Sequence, residues 1–141
     1  MLTMSRDEIA ALIPHGNAMS VVDNVLACDK DSLLAQTEAH LRADNPLNDP
    51  QGSTVILVEY AAQAAAIHAA LNKAGLGASR PAYLGAMKSI NLHEKSMAHV
   101  TAALSVKVTC VLSDANGAIY DFDIKEEDKV IVDGRLVLVQ P

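Results

Sequence analysis

The sequence predicts an α+β domain: an antiparallel sheet of about six strands wrapped around one long central helix. Three observations predict it. Residues 54–73 are an almost unbroken run of Ala, Ile, Leu and Val, of helical length and bounded by turn chemistry. Six shorter apolar runs flank it, two before and four after. The gaps within each group are too short for crossover helices, which favours antiparallel pairing. A helix with no polar face must be buried on most sides. A sheet curled around it meets that demand better than an open layer. One wrapped sheet rarely covers such a helix alone, so a second subunit is expected to help.

The elements follow in order. Ser5-Arg6-Asp7-Glu8 reads as a capping box, with Ile9, Leu12 and Ile13 as an apolar stripe. Pro14 stops that helix early. Residues 21–28 and 33–40 read as a β-hairpin across the Asp29-Lys30-Asp31-Ser32 turn. Residues 42–53 hold Asn-Pro, Asp-Pro and Gly-Ser, all loop chemistry. The long helix then runs from about Thr54 to Lys73, with Gly75 as its C-cap. Residues 83–92, 99–113, 117–125 and 129–139 read as strands, with turns at Asp114–Gly117 and Glu126–Asp128.

Composition narrows the function. A chain of 141 residues, 50% hydrophobic and 20% charged, is one ordinary globular domain. The net charge is −6, from 11 Lys plus Arg against 17 Asp plus Glu, and no basic run exists, so no nucleic-acid partner is expected. No stretch of about 18 uncharged apolar residues occurs, so no membrane span is expected. The opening MLTMSRDEIAAL does not read as a secretion signal. Cys28 and Cys110 stand alone, which fits reduced core thiols in a cytoplasmic protein rather than a disulfide framework or a zinc site.

Within the long helix only Glu59, Gln63 and His68 interrupt the apolar run before Asn72. Glu59 and Gln63 are four apart and share a face. His68, nine positions beyond Glu59, lies on the opposite side. An unpaired buried carboxylate costs several kcal/mol, so Glu59 is neutral, paired or at a cavity. Apolar surroundings favour its protonated, proton-donating form; the nearby helix start favours the anion. The plainer alternative is that Glu59 caps the helix or pairs with Arg42. His40, at the end of the second strand, is either a solvated side chain or a general base suited to neutral pH. His15, His93 and His99 carry no assigned chemistry, His68 reads as a satisfied or interface residue, and Tyr60 as core or dimer packing.

These residues also carry a resemblance. "LIPHGNAMSVVDNVL" (12–26) resembles the N-terminal signature of the FabA/FabZ-like 3-hydroxyacyl-acyl carrier protein dehydratases. His40 followed by Asn45-Pro46, then Glu59-Tyr60-Ala61-Ala62-Gln63, is similar to their catalytic block. "GRLVLV" (134–139) resembles their last strand, so the likeness spans essentially the whole chain. The Asp-Asn-Pro-Leu loop and the Glu-Tyr-Ala-Ala-Gln helix are most similar to the ApeP-like branch from aryl-polyene-type clusters.

The resemblance implies a single hotdog domain over residues 1–141, in a homodimer or an assembly of dimers with composite sites. It implies that His40 removes the α-proton of a 3-hydroxyacyl thioester while Glu59 of a neighbouring subunit protonates the leaving hydroxyl, oriented by Gln63. No cofactor and no metal are needed. The substrate's carrier would be acyl carrier protein or coenzyme A, with Lys73, Arg80 and Lys88 as candidate docking residues. Backbone N–H groups of Thr54 and Val55, taken as uncapped, would serve the enolate oxygen. The family has glycine where this chain has Thr54, and the loop before Glu59 is longer by about five residues than is usual in that family. The rival readings are a hotdog thioesterase and a non-catalytic subunit of a heterodimeric dehydratase.

Overall fold

A computed structural model of the chain describes residue 8 and residues 21–45, 48–72 and 83–139. The capping box apart from Glu8, the rest of its helix, His15, Lys73, Gly75 and Arg80 lie outside the described residues.

Strand β1 (Asn24–Cys28) and strand β2 (Ser32–Thr37) form the expected antiparallel hairpin. Its turn is set by Asp29, whose Oδ1 accepts from the backbone N–H groups of Asp31 (2.9 Å) and Ser32 (2.8 Å). A 3₁₀ turn at Thr54–Ile56 leads into helix α1 (Leu57–Asn72). Strands β3 (Tyr83–Leu92), β4 (Leu104–Asp114), β5 (Gly117–Glu126) and β6 (Lys129–Val139) complete one sheet in the order β1-β2-β4-β5-β6-β3. Every pairing is antiparallel, and two-residue turns join β4 to β5 and β5 to β6.

Two predicted boundaries move. His40 does not end a strand: β2 stops at Thr37, and His40 sits in a 3₁₀ turn, Ala39–Leu41. Likewise residues 99–103 are not strand, because Met97–His99 is a 3₁₀ turn and β4 starts only at Leu104.

The sheet curls around α1 so closely that eleven of its 16 residues are buried within the single chain. One chain therefore covers its helix better than expected. Together with the preceding turn, Thr54–Asn72 is long and apolar enough to cross a bilayer, but here it is the wrapped core helix. What stays bare is β3. The main packing partners of α1 are β4, β2, β5 and β6, and β3 is not among them. Leu84 and Met87 pair with the core residues Leu138 and Leu136 and so face the helix side. Even so, they remain 37% and 50% exposed. A ten-residue edge strand with uncovered apolar side chains is a pairing surface. The argument for a second subunit thus rests on β3 rather than on the helix.

Cys28 and Cys110 are free, partly buried thiols packed against the core. Burial raises the pKa of both, which keeps them protonated and unreactive.

Candidate active site

His40 is held from three sides. Asp23 Oδ2 accepts from the Glu38 N–H at 2.7 Å and pairs with Arg42 Nη1 at 2.9 Å, bracketing the turn. Asn45 Nδ2 donates to the Ala39 carbonyl at 2.9 Å and lies 3.3 Å from the Tyr60 hydroxyl, fastening the turn to α1. Tyr60 itself is fully buried, so core packing is its use. Finally, the His40 ring meets the Ala102 carbonyl, with Nε2 at 2.8 Å. A carbonyl oxygen only accepts, so Nε2 carries the proton and Nδ1 keeps a lone pair. Nδ1 is buried and has no hydrogen-bond partner among the described residues.

The solvated alternative for His40 is therefore excluded: it is only 6% exposed. Burial lowers its pKa below the ordinary histidine value; the Ala102 contact and the charges of Glu126, Glu38 and Asp23 oppose that shift without cancelling it. His40 also lines a cavity of about 370 Å³, walled by Asn48, Pro50 and Gln51 on the loop side and by Met97, Val100 and Thr101 opposite.

Glu59 lies in the first turn of α1, half-buried. Gln63 sits beneath it and is almost fully buried. The Val21 N–H donates to Gln63 Oε1 at 2.9 Å, which fixes the amide so that Nε2 points to Glu59 Oε1 at 3.4 Å. Gln63 thus touches Glu59, one turn away, as the sequence spacing predicts. Arg42, the alternative partner for Glu59, forms its ion pair with Asp23. Glu59 is not among the residues lining the His40 cavity. Within one chain the two are not gathered at that cavity.

The helix-start amides need correcting. The Thr54 N–H donates to the Lys95 carbonyl at 3.0 Å, and the Val55 N–H donates to Ser53 Oγ at 3.1 Å. Ser53 is an N-cap residue, with extended backbone and its side chain turned onto the first turn. Neither amide stands free. Serine immediately before Thr-Val-Ile was the signal in the sequence.

The remaining histidines among the described residues are accounted for. His68 is fully buried, receives the Tyr120 hydroxyl at Nδ1 (2.7 Å) and donates from Nε2 to the Asp29 carbonyl (3.0 Å). His93 pairs with Asp133 at 2.8 Å and His99 with Glu94 at 2.6 Å, both on the surface. Among the described residues no group of three or more His, Cys, Asp or Glu is placed to hold a metal. The sequence reading named Asn45 only as part of the Asn-Pro motif and gave Ala102 and Glu126 no role, yet all three shape the His40 site.

The sequence model of the ApeP-like family, described as ApeP dehydratase, matches residues 7–141. The chain belongs to that family. No curated protein matches it. Among solved structures, this ApeP-like chain is similar to the dehydratase heterocomplex ApeI:P from Xenorhabdus doucetiae, with a TM-score of 0.77 at 17% identity over 94% of this chain and 90% of that one. It also resembles a thioesterase from Haemophilus influenzae, with a TM-score of 0.67 at 14% identity over 98% of this chain and 91% of that one. A third likeness is to a hypothetical thioesterase with coenzyme A from Streptococcus pneumoniae (TM-score 0.58, 12% identity, 83% of this chain and 84% of that one). At such identities the neighbours establish the hotdog fold; the family establishes a hotdog dehydratase relationship.

Proposed function

We propose that the chain removes water from 3-hydroxyacyl thioesters, carried on acyl carrier protein or coenzyme A, to give trans-2-enoyl thioesters in the cytoplasm. The observation that carries this reading is the state of His40. One ring nitrogen is committed to Ala102, and the other is buried, unpartnered and unprotonated beside a cavity. An imidazole so held is a base awaiting a proton.

The chemistry balances without a cofactor. Nδ1 of His40 takes the α-proton, and the C–H electron pair forms the new double bond. The bond from the β-carbon to its hydroxyl breaks, and Glu59 of the partner subunit gives that hydroxyl its proton, releasing water. His40 ends as imidazolium and Glu59 as carboxylate, and exchange with solvent resets both. Gln63, tied to Val21, holds the Glu59 carboxyl in place. Because Nδ1 is buried in the free chain, the entering acyl group must displace whatever covers it. The Thr54 and Val55 amides reach the thioester oxygen only by giving up Lys95 and Ser53.

Antiparallel pairing of β3 with its symmetry mate would cover Leu84 and Met87 and supply the second subunit. A different hotdog chain could occupy the same edge; the similar structure ApeI:P is a dehydratase heterocomplex.

The test is incubation of the pure protein with 3-hydroxyacyl thioesters of graded length on each carrier, followed by mass spectrometry. Loss of water is expected, and His40→Asn or Glu59→Gln should slow it by about 10²–10⁴-fold. Appearance of free acid with no enoyl product would establish the thioesterase reading instead. Turnover only after addition of a second dehydratase-like chain would establish the subunit reading.

A further inference from the structure

His40 depends on Ala102, and Ala102 has no strand to hold it. It lies between the 3₁₀ turn at Met97–His99 and the start of β4 at Leu104. What holds it is one carboxylate. Glu126 Oε2 accepts from the Thr101 N–H at 2.8 Å and from the Ala102 N–H at 2.8 Å. Glu126 is itself anchored at the end of β5, opposite Leu104 on β4 and Lys129 on β6. The contact therefore runs from a three-strand ladder, through two consecutive amides, to the carbonyl that receives His40 Nε2–H at 2.8 Å.

We propose that Glu126 is a positioning residue for His40: it fixes the 101–102 turn so that the Ala102 carbonyl selects the Nε2–H tautomer and leaves Nδ1 as the base. The proposal rests on the reading of His40 as the proton acceptor. Two consecutive N–H groups converging on a single oxygen leave that turn little freedom. Without them the carbonyl is free to rotate away, and the imidazole loses the contact that sets its tautomer. Glu126 acts in a second way through its charge. With Glu38 and Asp23 it forms the acidic surroundings of His40, and each of the three favours the imidazolium that forms during turnover.

The two actions separate in two variants of the full-length protein. Glu126→Gln keeps an acceptor oxygen for the amides and deletes the charge. Glu126→Ala deletes both. Nitrogen-15 NMR of the imidazoles, with the His40 signals assigned by their absence in His40→Asn, reads tautomer and titration midpoint independently of activity. Glu126→Gln should retain the Nε2–H tautomer, with the His40 midpoint and the acid limb of kcat/KM both moved to lower pH. Glu126→Ala should give mixed tautomers and a fall in kcat of about 10²-fold with KM little changed, as expected for a slightly misplaced base. Glu127→Gln, one residue on, should leave the His40 midpoint where it is.

An Nε2–H tautomer and midpoint unaltered in both Glu126 variants would overturn the inference even if the wild type dehydrates its substrate. NMR changes as expected in a wild type that dehydrates nothing would support it and overturn the proposed function instead.

Discussion

Substituting Met87 by lysine tests whether β3 is the seam of a dimer that shares its sites. Met87 faces the helix side of the sheet, opposite Leu136, and is half exposed in the single chain. Complete burial of a methionine side chain stabilises by about 1.5–3 kcal/mol, so covering the remaining half contributes about 1 kcal/mol per copy. A twofold interface holds two copies, so losing both costs about 2 kcal/mol, a rise of roughly 30-fold in the dimer dissociation constant. Two ammonium groups at an apolar seam add desolvation and mutual repulsion, so 30-fold is a floor. Sedimentation velocity over a concentration series measures the shift. Turnover per chain, measured over the same series, should fall in step with dissociation, because the proposed mechanism pairs His40 of one chain with Glu59 of the other. Two results refute the reasoning: wild type and Met87→Lys sedimenting alike, or a dissociated variant that keeps full turnover per chain.

Two further outcomes follow. His40 is buried and its pKa is lowered on folding, so the unfolded chain binds a proton that the folded chain refuses. Stability should therefore fall as pH drops below about 6.5 toward the folded value. The lowered carboxylates Glu94, Asp121 and Asp133 lose their stabilising charge only below about pH 4.5, so they do not obscure that window. Urea unfolding of wild type and His40→Gln at several pH values checks this, and equal slopes between pH 6.5 and 5 would contradict it. Gly134 is the other point: a Cβ there would press on Ile90 Cδ1 and lie 3.1 Å from the Ile90 Cα, where β3 bulges through Ser89 at φ 55°. Gly134→Val should cost about 1–3 kcal/mol in thermal or urea unfolding, and a neutral result would mean that β3 yields freely.

The parts of the fold legible in the sequence are those set by local chemistry. The Asp29 turn, the two-residue turns after β4 and β5, and the start of the helical segment at Thr54 all follow from residues adjacent in the chain. What escaped depends on distant partners. His40 leaves the strand because Asn45 and Asp23 fold its neighbours into a turn. Residues 99–103 have strand-like composition, but Glu126, some 25 positions away, takes the Thr101 and Ala102 amides that a ladder would use. The bareness of β3 was equally hidden. Alternation gives the two faces of a strand, but not which face a helix reaches. Ser53 is different: its capping role was readable, and the expectation of free amides overlooked it.

The site's chemistry turns on a cost the fold carries. A buried acceptor without a partner, such as His40 Nδ1, is destabilising by about 1–3 kcal/mol. Many residue types at position 40 would avoid it. Three separate supports nonetheless hold the imidazole there: Asn45 at the preceding carbonyl, Asp23 around the turn, and Ala102 on the opposite ring nitrogen. A hydrolase of the thioesterase kind needs a carboxylate and a water, and gains nothing from an imidazole kept dry and unprotonated on one nitrogen. Abstraction of an α-proton gains directly, since a desolvated lone pair has no water to shed before it reacts. The balance of cost and use at this one atom favours elimination over hydrolysis.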